Sequence, residues 1–436
     1  MNDFYSIDHR RPARCDTGAA TLPPIANRKS QIANPLLFIL ALLCLLQTGC
    51  ESTGRTPETD RALMDFYVGN YTTARNILAP LAEKTDEDYV LNNLRLGSVA
   101  LADYDNDLAE KAFLRAYEVM NSTGVNDGGR GAAAAIVHEK FKVWKGEPFE
   151  RAMCNFYLGT LYYIKGDYNN ARAAFENALF KLREYSDSDK DEAYKDVESD
   201  FVVGLVMLGK CWQKLGNEDK ARDVFARAEQ LNPQARALAT PGLEAQANVL
   251  LIVDVGDGPQ KVTEYDNSIV TFVPKPAQAG PLPHALVTVD GRGLDIRGTN
   301  LAPTDLVVTA HDRKWQDIDT IRLAKSAVGT GLMTAGAIRG ATARKEGQAW
   351  TGAGLMAAGA LLKASGGADL RHWELLPRAT YIIPLRLPPG RHNLTVHFAE
   401  HGGLAQSVKG LVAPPQGEAT YYLRIFRTPR PPLEFQ

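Results

Sequence analysis

The stretch FYLGTLYYIKGDYNNARAAFENAL, Phe156–Leu179, decides the architecture of the first half of the chain. Leu158 and Gly159 stand together, Tyr162 follows three positions on, and Gly166-Asp167-Tyr168 marks a bend. Ala171, Phe175 and Ala178 then recur at helical spacing. Small residues at fixed positions let two antiparallel helices approach closely, and the bulky residues between them fill the gap to the next pair. VMLGKCWQKLGNEDKARDVFARAEQLNP, Val206–Pro233, repeats the set as Leu208, Gly209, Trp212, Gly216, Ala221, Phe225, Ala228 and Pro233. A weaker copy carries Leu96, Gly97, Ala109, Phe113 and Ala116, and a shorter one Gly69, Tyr71, Ala74, Leu78 and Leu81.

This alternation of small and large positions resembles the tetratricopeptide repeat. The resemblance implies an N-terminal all-α superhelix over residues 61–235 whose concave groove is lined from first-helix positions. Those positions are Leu94, Ser98 and Leu101, then Met153, Phe156, Thr160 and Tyr163, then Lys210, Gln213 and Lys214. Such a groove suits a protein or peptide partner. The competing occupant is the chain's own insertion, Asn121–Glu150, which opens Gly-rich and ends in an amphipathic segment around Ile136, Val137, Phe141 and Trp144. The repeats are not evenly spaced: Ala74 and Ala109 are followed only by Ala171 and Ala221, so the array is interrupted twice.

Upstream lies LLFILALLCLLQTGC, Leu36–Cys50. Its unbroken apolar part ends at Leu46, whereas a helix crossing a bilayer needs roughly 20 such residues. Arg28 and Lys29 precede the run and Thr48-Gly49 close it, the layout of a secretory signal. Leu46-Gln47-Thr48-Gly49-Cys50 resembles the lipobox of bacterial lipoproteins, with Gln47 and the long segment before the run as departures from that pattern. The resemblance implies a signal peptide with an extended N-region over 1–49, a covalent lipid on Cys50 and a polar tether over 50–60. Glu51 after the cysteine then implies the periplasmic face of the outer membrane. A plain secreted protein or an uncleaved N-terminal anchor is the alternative.

A formal net charge of -2 leaves no clustered positive charge to drive nucleic-acid binding. Of the five cysteines, Cys15 and Cys44 leave with the signal and Cys50 takes the lipid. Cys154 and Cys211, each in the first helix of a repeat, are expected as buried free thiols.

Two strings invite a metal. DSDKDEAYKDVE places Asp187, Asp189, Asp191 and Glu198 in the frame of an EF-hand calcium loop, but Glu192 replaces the turn glycine and Lys195 stands where an oxygen ligand is directed. A solvated acidic loop is the default. HFAEH places His397, Glu400 and His401 in the H-x-x-E-H order of inverted zinc peptidases. Two imidazoles four apart converge only on a helix, and the context PPGRHNLTVHFAEHGG reads as a strand. No catalytic residue is assigned, and no cofactor beyond the lipid.

After Pro233 the pattern alternates. NVLLIVDVG, NSIVTFVP, HALVTVDG, ATYIIPLRLPPG, HNLTVHF and ATYYLRIFR read as strands of a mostly antiparallel, sandwich-like β domain over 245–430. Within it, about residues 320–364, lies a small-residue helical hairpin with Gly329, Gly336, Gly340, Gly352 and Gly359. Such faces let helices nearly touch, and the hairpin is expected to pack on the sheet or on a second copy. The whole α+β multidomain order, ending in DLRHWELLPRATYIIPLRLPPG, resembles a family of uncharacterised bacterial tetratricopeptide lipoproteins. The expected function is a non-enzymatic, membrane-anchored periplasmic scaffold or adaptor. The alternatives are a metal-dependent envelope hydrolase and an export-channel or pore accessory.

Overall fold

The computed structural model describes residues 53–122, 143–183, 201–239, 247–264, 269–276, 280–294, 303–310, 369–398, 404–426 and 432–435. Cys50, the signal segment, the calcium-like residues Asp187, Asp189, Asp191 and Glu198, the glycine-rich stretch 320–364, Glu400 and His401 lie outside the described residues.

Among the described residues, four helical hairpins come first. They are α1 (Pro57–Val68) with α2 (Tyr71–Ala82), α3 (Tyr89–Ala102) with α4 (Asn106–Met120), α5 (Pro148–Ile164) with α6 (Tyr168–Arg183), and α7 (Val202–Lys214) with α8 (Glu218–Leu231). α1 starts at a capping box in which Thr56 Oγ1 accepts from the Thr59 N–H and Thr59 Oγ1 accepts from the Thr56 N–H. Pro57 occupies the first turn, where a missing N–H costs nothing. The small-and-large pattern has a direct physical cause. A Cβ added to Gly97 would come within 2.6 Å of the Phe113 ring, one on Gly159 within 2.7 Å of Phe175, and one on Gly209 within 2.7 Å of Phe225. In the last three hairpins the first helix therefore lends its glycine as a seat for the phenylalanine of its own second helix.

The turn inside each hairpin needs a left-handed residue, and Gly69, Gly166 and Gly216 supply it at φ +87°, +77° and +73°. In the second hairpin the corresponding residue is Tyr104, at φ +61°. That conformation is strained for a side chain of this size.

A 3₁₀ turn (Pro233–Ala235) and a short α9 (Arg236–Ala239) lead into a mixed sheet region. One sheet has the order β10-β1-β7-β6, with β1 (Val249–Val255), β6 (Thr304–Asp305), β7 (Ala379–Leu385) and β10 (Ala419–Ile425). The second has the order β11-β9-β8-β4-β5, with β4 (Ala285–Val289), β5 (Arg292–Leu294), β8 (Gly390–Phe398), β9 (Leu404–Ala413) and β11 (Leu433–Glu434). β2 (Gln260–Glu264) and β3 (Ile269–Val273) pair by themselves, and α10 (Leu306–Ala310) follows β6. β1 is buried along its whole length because it is central, parallel to β10 and antiparallel to β7. The parallel pairs β1–β10 and β11–β9 make the region mixed rather than purely antiparallel. Tyr381 of β7 and Phe398 of β8 meet at 5.1 Å between ring centroids, joining the two larger sheets.

Candidate interaction surfaces

The first-helix face of the repeats is covered from within the chain. Leu94, Ser98 and Leu101 on α3, Met153, Phe156, Thr160 and Tyr163 on α5, and Lys210 on α7 are all buried. Gln213 is half-buried and Lys214 exposed at the rim. The expected partner groove is thus filled among the described residues by β1, β7, β10 and the segment Asp369–Leu376, while Ile136, Val137 and Phe141 of the insertion lie outside the described residues. The described end of that insertion contributes: Trp144 is buried and its Nε1–H donates to the Arg371 carbonyl at 3.0 Å.

Trp373 lies at the centre of the seam. Its indole Nε1–H donates to Ser98 Oγ at 3.0 Å, its backbone N–H to Glu150 Oε1 at 2.6 Å, and its ring meets Tyr157 at 5.7 Å and Phe113 at 5.8 Å. Next to it, wholly buried Arg95 holds Glu374 through Nη2–Oε1 at 2.5 Å and Nε–Oε2 at 3.0 Å. Burial pushes the Glu374 carboxyl up, but Arg95 more than offsets this and holds it below the usual carboxylate range. Glu150 goes the other way: burial, then the neighbouring Glu147 carboxylate, raise it to about 8. Lys261 contacts Glu147.

Deeper in the seam, Asp254 of β1 accepts from Tyr157 Oη at 2.6 Å, Tyr422 Oη at 2.8 Å and Thr380 Oγ1 at 2.6 Å. Burial still raises its carboxyl, against the pull of Arg424 and these hydroxyls. At the far end Glu418 accepts from Tyr163 Oη at 2.9 Å and Lys210 Nζ at 3.2 Å, and Lys214 Nζ lies 3.5 Å away. Burial raises Glu418, yet the two lysines bring it below its ordinary value. The strained Tyr104 sends its hydroxyl to the Tyr422 carbonyl at 2.7 Å and packs its ring on Phe435 at 4.9 Å. The carboxyl groups of Glu150, Asp254, Glu374 and Glu418 are thus each hydrogen-bonded across the two parts, as a permanent interior seam requires of them.

The signature positions serve the hairpin cores. Leu158, Ala171, Phe175, Ala178, Leu208, Ala221, Phe225 and Ala228 are buried, Tyr162 and Trp212 are half-buried, and Pro233 opens the 3₁₀ turn. Cys154 and Cys211 are free and buried, and burial pushes both thiols up, so neither is reactive near neutrality. His397 lies in β8 opposite Leu286 and Ala405. Among the described residues no group of three His, Cys, Asp or Glu side chains is placed to hold a metal ion.

The described residues also form a cleft on an outer face. It lies between α6, α7 and α8, measures about 500 Å³ and is lined by Leu179, Phe180, Leu208, Trp212 and Val224, with Glu176, Lys220 and Asp223 around it. Phe180 is 52% exposed, and the Trp212 ring carries the Lys220 ammonium at 4.2 Å and the Arg172 guanidinium at 4.9 Å. Sequence reasoning assigned Trp212 to the repeat signature and missed Phe180. The available signal was an aromatic residue on the polar side of α6.

A tetratricopeptide-repeat family model matches residues 155–179. Among solved structures, one described as the crystal structure of MamA is 13% identical, with 42% of this chain and 83% of that chain covered and a TM-score of 0.28. A second, of MamA AMB-1, is 17% identical over 42% and 86% at a TM-score of 0.27. No curated protein matches the chain. The chain accordingly contains a tetratricopeptide repeat, which coincides with the α5–α6 hairpin.

Proposed function

We propose that the protein is a non-enzymatic scaffold of the cell envelope, held by lipid on Cys50 at the periplasmic face of the outer membrane, that docks a protein or peptide partner through its repeats. The observation carrying the docking part is the contrast between two faces of one array: the first-helix side is consumed by the chain's own sheet, while the cleft at Phe180 and Trp212 mixes aromatic and aliphatic side chains, Phe180 exposed among them, with charged ones. A partner segment inserting an apolar anchor there, beside the cations on Trp212, fits the helix-in-groove mode. The lipid part rests on the lipobox-like sequence before Cys50.

Crosslinked pull-down from intact envelopes tests this reading. A defined partner is expected with the unaltered protein and with Tyr163→Phe, and its recovery is expected to drop with Phe180→Asp. Equal recovery from all three would refute docking at the cleft. Intact mass of the extracted protein reads the lipid on Cys50 directly.

A further inference from the structure

The start of the folded unit is fastened where a tether would be expected to swing. The Gly54 carbonyl accepts from Arg95 Nη1 at 2.9 Å, and that guanidinium is wholly buried and locked on Glu374. Gly54 sits at φ +60°, and a Cβ there would meet Arg371 Cγ, Asp88 Oδ1 and Leu91 Cδ2 at 3.0 Å each. The backbone is therefore seated in a fitted cradle, not merely resting on a surface. Two residues later Thr56 caps α1. From Gly54 back to Cys50 is four residues, a reach of at most about 14 Å.

α1 carries the most exposed large apolar side chains among the described residues. Met64 is 71% exposed and Val68 54%. With Pro57 and Arg61 they fall at i, i+4, i+7 and i+11, which puts all four on one face of the helix, and all four are exposed. That stripe begins three residues after the fastened glycine. Arg61 puts one positive charge within the stripe, Arg55 beside it is paired to Asp60 at 2.6 Å, and Glu58 and Asp65 flank.

We infer that this face of α1 rests on the lipid surface, so that the anchor fixes the orientation of the body as well as its location. The inference rests on the lipidated Cys50 of the preceding section. Acyl chains held within about 14 Å of Gly54 bring the N-terminus of α1 to the headgroup region, where Met64 and Val68 enter shallowly and Arg61 pairs with anionic headgroups. The mode is that of a helix lying in the interface plane. It adds a second, weak contact to a lipid anchor, and it leaves the Phe180–Trp212 cleft to a partner.

The test uses the full chain extracted from envelopes, reconstituted in vesicles of phosphatidylethanolamine and phosphatidylglycerol doped with a diazirine-acyl phospholipid. Adducts are mapped by mass spectrometry after illumination. Adducts on residues 57–68 are expected to exceed those on residues 169–182 by about fivefold, and to fall to that level in Met64→Glu/Val68→Glu while the protein still pellets with vesicles. Acylated, vesicle-bound protein without an excess on 57–68 overturns the inference and leaves the anchor standing. An intact mass lacking the lipid on Cys50 removes the anchor and the inference together.

Discussion

Replacing Arg95 by methionine tests how firmly the repeats and the sheet are joined. The variant leaves Glu374, 8% exposed at its side chain, without its counter-charge. Breaking one side of a buried ion pair costs about 3–5 kcal/mol. The Gly54 carbonyl and Asn92 Oδ1 also lose donors, at about 1 kcal/mol each. The expected loss is about 5–7 kcal/mol, a large share of the 5–15 kcal/mol typical of a folded domain. Glu374→Gln removes the charge but keeps an acceptor, and about 3 kcal/mol is expected. The double change Arg95→Met/Glu374→Leu removes the uncompensated charge altogether, so it is expected to cost less than either single change, about 2 kcal/mol for the two orphaned acceptors. Urea unfolding of the chain from residue 50 onward, followed by tryptophan fluorescence and by circular dichroism, measures all three. The reasoning fails if the single changes cost under about 1 kcal/mol or simply add. It fails equally if the two probes give separate transitions, because a seam of this kind makes repeats and sheet unfold together.

Gly159→Ala sets two effects against each other: alanine favours a helix by roughly 1 kcal/mol, but its Cβ would lie 2.7 Å from the buried Phe175 ring, and overpacking costs about 1–3 kcal/mol. A lowered thermal midpoint is expected, and a raised one would refute the seat-and-ring account. Glu150, raised to about 8, binds a proton in the folded state that the unfolded chain releases near 4.5, so its contribution is full at low pH and is lost as pH rises through about 8. Glu150→Gln should flatten that decline in a pH series of denaturation midpoints. His392 offers Nδ1 to Asp290 Oδ2 and Nε2 to the Pro388 carbonyl, both at 2.7 Å, which favours the doubly protonated ring and raises its titration above the ordinary 6.5. Its contribution is therefore present below 6.5 and lost as pH rises through the folded value. NMR titration of the imidazole showing a midpoint at or below 6.5 would contradict this.

The repeats were legible because their cause is local. Gly97 and Phe113, Gly159 and Phe175, Gly209 and Phe225 are each one hairpin apart, and helical periodicity carries the pairing in the sequence itself. Six strands were legible from alternation. β9 was not, since Gly402-Gly403 looks like an ending and Gln406 stands on the buried face of LAQSVKGLVA. The closed first-helix face was invisible for a different reason: Arg95 and Glu374 are 279 residues apart, and neither has a local signal that names the other. A groove rich in Phe156, Tyr163 and Met153 looks the same in sequence whether a partner or the chain itself covers it. The parallel β1–β10 pairing was hidden likewise, because no turn joins the two strands.

Tyr104 has a consequence for the order in which the protein is made. Its backbone occupies a conformation that its neighbours in the array entrust to glycine, and what offsets that strain is a contact with Tyr422 and Phe435, residues synthesised some three hundred positions later. Until the sheet residues are made, the nascent repeats hold a contorted turn, Arg95 lacks Glu374 and Tyr157 lacks Asp254. The repeat array in this chain is thus a half-finished interior until its own last strands are made and complete it.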